Sequence, residues 1–358
     1  MAENKIVGNR SELIFIYDIK NANPNGDPDE NKPRIDEETE RNIVTDVRLK
    51  RTIRDYLAKY KNQNIFIIEE KREDETQKSR ARRLAEFITK VKSENKSKFE
   101  KWDINLEKLE NMKDQDIEKA IKDKIKLKEL EEILLTYFLD IRLFGATIAV
   151  KDSTITKIGP TQFKFGKSLH QVEPKFIKGT TVLPSREGAK QGTFTEMWIL
   201  PYSLICFYGI INENAAKDTG LTEDDVKLLL EGMWNGTKNL ITRSKAGQMP
   251  RFLLRIIYKE DNYHIGDLDQ KIKLLDEENK EIDKDGKSGK EIRNISEIKI
   301  DVSRLLSTLE RYKDKIEKIE YEVNQDVRFI ANGKEMKGEN IENVLKQITE
   351  TVERLGFE

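Results

Sequence analysis

Apolar residues in this chain recur with two different periods. Leu13-Ile-Phe-Ile-Tyr-Asp-Ile is almost continuously apolar, β-branched and aromatic, and predicts a strand. It stops at Asn21-Ala-Asn-Pro-Asn-Gly-Asp-Pro, a dense run of turn formers. The spacing then becomes helical up to about Lys61, with Thr45 or Asp46 as the cap. At 100° per residue, Leu49, Ile53, Tyr56 and Leu57 share one arc, and Arg48, Lys50, Arg51 and Arg54 fall on the remaining face. Asn64-Ile-Phe-Ile-Ile predicts a second short strand. Glu70 to about Glu132 is mostly charged, with Leu84, Phe87, Ile88 and Val91 at helical spacing. It reads as a helical insertion with a small core of its own, closed by a helix over about Leu127–Leu139.

Gly159 to Gly192 is Gly-rich, basic and aromatic, holds no period for long, and reads as an excursion or hairpin projecting from the fold. Trp198 to Ile211 returns to β character. Thr222 caps a helix to about Leu240, with Val226, Leu229, Leu230 and Met233 inward. Arg251-Phe-Leu-Leu-Arg-Ile-Ile-Tyr is another strand. The tail after Asp261 is charged, with helices expected near Ser303–Ile319 and Asn340–Leu355. Strand, basic helix, strands, helix, strand is the β-α-β-β-α-β order of ferredoxin-like and RNA-recognition folds, an α+β class that hosts many functions.

Composition narrows the function. Charged residues make up 37% of the 358 positions, above the roughly 25% usual for globular chains, so much of the chain is expected at a solvated surface. No stretch approaches the ~20 apolar residues of a membrane span. The N-terminus shows no signal peptide, and a lone Cys206 excludes an internal disulfide framework and fits a reduced cytoplasm. The net charge of −1 speaks against a polyanion partner, but its distribution speaks for one. Arg41–Lys61, Lys157–Gly192 and Gly236–Tyr258 are basic, while acids gather at Asp27–Glu40 and from Glu260 onward.

Much chemistry is missing. Two histidines, His170 and His264, stand about a hundred positions apart, which gives little support to a His-based nuclease or an imidazole metal site. No phosphate-binding glycine motif and no Cys pair occurs. Asn21, Asn23, Asn25 and Gly26 imitate the start of a calcium loop, but its twelfth position is Lys32 rather than a bidentate Glu. Asp27 and Asp29 sit in a turn where a carboxylate ordinarily bonds its own backbone. No metal or cofactor is expected.

Three segments point to nucleic acid. The cations of the basic helix are read as lacking acids at i+4, so their mutual repulsion asks for an anionic partner. Thr242-Arg-Ser-Lys-Ala-Gly-Gln-Met-Pro is small, flexible and basic, and either approaches phosphates or simply connects a helix to a strand. Gln162-Phe-Lys-Phe-Gly-Lys-Ser-Leu-His alternates aromatics with cations, which suits single-stranded nucleic acid, or else places Phe163 and Phe165 in the core.

Five ordered motifs carry a resemblance. They are Tyr17-Asp-Ile-Lys-Asn-Ala-Asn-Pro-Asn-Gly-Asp-Pro, Thr45-Asp-Val-Arg-Leu-Lys-Arg-Thr-Ile-Arg and Asp140-Ile-Arg-Leu-Phe-Gly-Ala. Gly159-Pro-Thr-Gln-Phe-Lys-Phe-Gly-Lys-Ser-Leu-His and Gln248-Met-Pro-Arg-Phe-Leu-Leu complete the set. Together the chain resembles the backbone subunit of type I CRISPR surveillance complexes (Cascade), most closely the type I-B family. The resemblance implies a palm of RNA-recognition type (1–62, 140–170 and 197–358, the last with a charged C-terminal extension). It also implies helical fingers (63–139) and a thumb hairpin (171–196). Copies would polymerise head to tail along guide RNA, beside other Cascade subunits, and present the guide to target DNA. The implied guide contacts are Arg41, Thr45, Arg48, Lys50, Arg51, Arg54, Arg142, Phe144, Gly145, Lys164, Lys167, His170, Arg243, Lys245 and Gln248, with no catalytic residue. Two other readings stay open: a ribonuclease using His170 or Asp27 as base, and a cytoplasmic scaffold that binds only proteins.

Overall fold

The strand read at the N-terminus, β1 (Ser11–Ala22), is the axis of a large sheet. The computed structural model describes residues 5–70, 77–94, 112–150, 153–180 and 194–357. The elements that follow β1 in its fold are α1 (Asp46–Lys61), β2 (Gly166–Gln171), β3 (Phe194–Ile211), α2 (Glu223–Lys238) and β4 (Met249–Tyr258). In the sheet they lie in the order β4-β1-β3-β2, each pair antiparallel. This is the split β-α-β arrangement that the element order predicts, and the chain is α+β.

The chain divides into two compact units. One comprises Asn9–Tyr56, Thr161–Glu213 and Lys227–Glu358. Within it, Ile14 and Ile16 of β1 join Leu204 and Tyr208 of β3 and Leu254 and Ile256 of β4 in a core shared with the chain after Asp261. Alternate residues Leu13, Phe15 and Tyr17 point the other way and are buried as well. Burial on both faces is why β1 reads as an apolar run rather than an alternation. Leu49, Ile53 and Tyr56 of α1 are buried as their arc predicts, and α1 meets α2 closely. A Cβ on Gly232 would come within 3.0 Å of Ile53, and the Tyr56 hydroxyl donates to Glu231 at 2.8 Å.

The tail departs from expectation. Its first helix stops at Arg311, and Ile316–Val323 is instead a strand, β5, antiparallel to β4. Ile319, Tyr321 and Val323 alternate into the core, while Glu320 turns to the cross-strand Arg255 at 3.1 Å. The second expected helix shrinks to Ile341–Leu345, and Val352–Arg354 adds a strand, β6, parallel to β5. Strands Lys273–Leu275, Lys299–Asp301, Arg328–Ala331 and Lys334–Lys337 form a second sheet. The tail is therefore not a charged appendage: Leu274, Ile300, Phe329 and others close one face of the large sheet. On the other edge, Lys175–Thr180 pairs with the start of β3. Residues 181–193, half of the expected thumb, lie outside the described residues.

The second unit comprises Met1–Gly8, Leu57–Pro160 and Asn214–Val226. Helices Arg80–Glu94, Asp114–Lys124 and Leu127–Tyr137 share a core of Leu84, Ile88, Ile117, Ile121, Ile133 and Phe138, among others. Val91 lies in a helix, but its side chain is outside the described set. Asn64–Ile68 is not the strand its sequence predicts. Its amides are satisfied by side chains instead: Phe66 and Ile67 donate to the Asp140 carboxylate at 2.8 and 3.0 Å, and Arg83 caps the Ile65 and Phe66 carbonyls. Thr222 and Asp225 exchange hydrogen bonds at the start of α2, a reciprocal N-cap. Among the described residues, no helix is long and apolar enough to cross a membrane.

Asp140 is wholly buried, so removing its carboxylate strands two backbone donors. Asp140→Ala is expected to cost about 3 kcal/mol of stability in urea unfolding, the scale of two charge-assisted bonds. A loss below about 1 kcal/mol would contradict this account of the 64–68 segment.

Candidate nucleic-acid interface

The Asn-rich turn after β1 draws two segments together. Asn25 Oδ1 accepts from the Thr45 amide and hydroxyl at 2.9 and 3.0 Å, and Thr45 Oγ1 in turn accepts from the Arg48 amide at 3.3 Å, capping α1. Asn23 donates its amide to the Ser244 carbonyl at 2.8 Å, tying the 242–248 loop to the same turn. Asp27 Oδ1 accepts from the amides of Asp29, Glu30 and Lys32, so this carboxylate shapes the turn, and these bonds hold it below the usual carboxylate range.

Arg48 and Lys245 meet at this junction. Arg48 is half-buried, donates to Thr52 Oγ1 at 3.0 Å, and keeps a buried Nε with no partner. Lys245 donates to the Asn23 carbonyl at 2.9 Å. Among the described residues no carboxylate bonds to either cation, although the field of Asp55 reaches Arg48. Burial lowers both ammonium and guanidinium basicity, and for Lys245 the burial plus the Arg48 charge bring its pKa down to about 8. The N-terminus of α1 contributes positive potential of its own. Two half-buried like charges with no bonded carboxylate suit an anionic partner.

The other expected contacts are placed unevenly. Lys50 bonds Asp46 and Arg51 bonds Asp55, each at 3.0 Å and at i,i+4, which overturns the reading that α1 lacks such pairs. Arg54 is buried. Arg142 forks onto Asp225 at 2.9 Å and donates to the Leu135 and Thr136 carbonyls at the end of a helix. Phe144 is buried. Gly145 has a φ of +67°, and a Cβ there would stand 2.1 Å from the Lys157 carbonyl oxygen. The Asp140–Ala146 motif thus serves the fold of its own unit. Lys164 bonds Asp267 at 2.8 Å and lies over the Tyr208 ring, and Lys167 lies 3.7 Å from Asp36. Phe163 is in the core while Phe165 is exposed, so that segment divides between the two readings open to it. Arg41 donates to the Ser168 carbonyl, and the exposed Arg243 to Thr195. Gln248 is buried with its Nε2 unpartnered.

His170 is fully buried, which removes it from any solvent-facing contact. Its Nε2 accepts from the Leu204 amide at 3.1 Å, Nδ1 faces the Gln171 carbonyl at 2.8 Å, and the ring stacks on Tyr202. Arg251 and Arg255, counted in the third basic patch, are likewise buried on Asp18 and Glu320. Sequence reasoning missed Asn23 and Asn25 as positioning residues, and Arg34. Arg34 lines a cavity of about 560 Å3 with Lys32, Thr45 and the exposed Phe165. The tight Asn-x-Asn spacing was the available signal for the first two.

A split β-α-β sheet with a carboxylate-free pair of cations at a helix N-terminus has the construction of a polyanion-binding α+β protein. Comparison with known proteins is more specific. Residues 9–303 match the family model described as CRISPR-associated protein Cas7. A curated CRISPR-associated protein Cas7 from Haloferax volcanii is 32% identical over 330 residues, covering 86% of this chain and 85% of that one. This chain belongs to the Cas7 family. Its fold is also like that of a chain solved in a CRISPR RNA-guided surveillance complex in a pre-nicking state. That likeness has a TM-score of 0.50, with 12% identity over 88% of this chain and 92% of the other.

The buried His170 sets a pH dependence. Burial depresses its pKa from 6.5 to about 4, so the fold holds it neutral while the unfolded chain protonates near the ordinary value. Its contribution is full above about 6.5 and is lost as pH falls toward 4, by up to about 1.4 kcal/mol per unit. Urea unfolding at pH 7 and pH 5 is expected to show this slope, and His170→Gln to flatten it. Equal slopes in both proteins would contradict the assignment.

Proposed function

We propose that this chain is a non-catalytic guide-RNA-binding subunit, of the type I-B kind, whose copies line up head to tail along a CRISPR guide. Together with other subunits it presents the guide to target DNA. Arg48 and Lys245 carry the reading: they form a half-buried cationic pair with no bonded carboxylate, beside a capped helix N-terminus. Arg41, Thr45, Arg243, Lys164 and Lys167 extend it, the two lysines by exchanging a carboxylate for a phosphate. In this reading the large sheet with α1 and α2 is the palm (1–62, 140–170, 197–358), the insertion 63–139 the fingers, and 171–196 the thumb that reaches a neighbouring copy.

The closed sheet supports a backbone-reading role. Proteins that stack bases on an open sheet need exposed aromatics there, whereas Tyr202, Tyr208 and Phe252 are core residues on this face. Contacts then go to phosphate and ribose, as one subunit type serving every segment of a variable guide requires. A ribonuclease is less well supported, because the ring of His170 is buried and engaged and Asp27 is spent on backbone amides. Incubation with labelled repeat RNA separates the two, since clean cleavage abolished by His170→Gln or Asp27→Asn would favour the enzyme.

Arg48→Glu combined with Lys245→Glu is expected to weaken single-stranded RNA binding about a hundredfold at fixed salt and to lower the salt slope by about 1.4, at ~0.7 per lost contact. Circular dichroism should be unchanged. Unrelated strands of equal length should bind wild type within about threefold of one another. Affinity indifferent to the double substitution, or a strong preference for one short sequence, would overturn the reading.

A further inference from the structure

A cavity of about 640 Å3 is formed wholly by residues of the second unit. The end of helix Leu127–Tyr137 makes one wall and the stretch 218–222 another. Most polar groups there are engaged. Arg142 holds Asp225 and the Leu135 and Thr136 carbonyls, and Asp225 also accepts from the Thr222 amide at 3.2 Å. Of the described threonines that line the cavity, Thr136 donates to the Glu132 carbonyl at 2.7 Å and Thr222 accepts from the Asp225 amide at 3.2 Å. Thr219 differs. It is 2% exposed, and its Oγ1 has no partner among the described residues. Two carboxylates are available as well: Glu132 and Asp218 are exposed, and among the described residues no cation pairs with either.

We propose that this cavity binds a linear aliphatic diamine. One ammonium pairs with Glu132 and the other with Asp218, the methylenes lie against Leu135, and the Thr219 hydroxyl accepts an ammonium hydrogen. The site goes beyond guide binding and does not depend on it.

Charge selects the class of ligand. Arg142 and Asp225 cancel, which leaves two carboxylates beside the carbonyl end of an 11-residue helix, itself a negative pole. The complement is a dication. A metal ion is poorly served, because among the described residues no three metal-ligating side chains converge. Leu135 offers an apolar surface that suits a methylene chain and not a hydrated metal ion. A Cβ on Gly220 would meet no heavy atom within 4 Å, so the wall is open beside Thr219. The cavity lies within the ~300–1,000 Å3 usual for small-molecule sites. An ammonium at Thr219 also gives that buried hydroxyl the partner it lacks in the fold.

The test uses the full chain freed of nucleic acid, because diamines also bind RNA, and titrates it calorimetrically with 1,4-diaminobutane at constant ionic strength. The diamine should bind about fivefold more tightly than butylamine, which can make only one of the two ion pairs. Glu132→Gln and Asp218→Asn should each weaken diamine binding about fivefold, and added salt should weaken it in wild type. Thr219→Val should weaken it about threefold without lowering stability in urea, because the hydroxyl it removes has no partner in the fold. A diamine held no more tightly than butylamine, binding of Mg2+ in its place, or unchanged affinity in both acid variants would overturn the proposal. Binding of an oligolysine peptide without binding of the diamine would overturn it too, in favour of a protein partner.

Discussion

Arg255 lies at 1% exposure inside a sheet that is buried on both faces, and it is tolerated there because Glu320 stands opposite it in the next strand. The same condition recurs through the core. Arg251 meets Asp18, and Glu12 accepts from the hydroxyls of Tyr208 and Tyr258 and from the amides of Ile265 and Gly266. An ion removed from water costs several kcal/mol unless such partners surround it. The chain therefore places its buried charges in matched sets, and those sets pin the tail to the sheet. Glu12, Arg255 and Arg251 each reach beyond Tyr258 to a residue of the tail.

The junction of Arg48 and Lys245 differs from those matched sets. It is built as firmly as the core pairs, through Asn23, Asn25 and the Thr45 cap, yet it gathers two cations and no bonded carboxylate. Closing the sheet with the tail removes the surface on which an RNA-recognition fold would stack bases, and in the proposed function recognition falls to a helix terminus and two loops. Amides, a guanidinium and an ammonium are suited to phosphates, which every guide repeats regardless of its sequence.

Strand β1, the apolar arc of α1, the inward face of α2 and the caps at Thr45 and Thr222 were legible because each depends on neighbours close in sequence. Other features depend on partners that sequence does not place. Ile316–Val323 carries alternating acids that look helical until Arg255 is seen across the strand, and Asn64–Ile68 joins no sheet and bonds side chains from elsewhere in the chain. Runs of Arg and Lys pointed to a polyanion partner without saying which cations face outward. Arg142, Arg251 and Arg255 proved to be bolts of the fold, while Arg48 and Lys245 stayed without a carboxylate. Asp46 and Asp55 were visible at i,i+4 beside Lys50 and Arg51, and their pairing shows that a basic helix face can be largely neutralised by its own turn.

In the proposed function, the Arg48–Lys245 junction holds the phosphate backbone of a guide. The most direct measurement is the nucleic acid that the chain carries through purification, in wild type and in the protein with both cations reversed to Glu. Wild type should give an ultraviolet spectrum dominated by RNA of guide length, and the variant a protein spectrum. A protein-only spectrum for both, or the same RNA load in both, would contradict it.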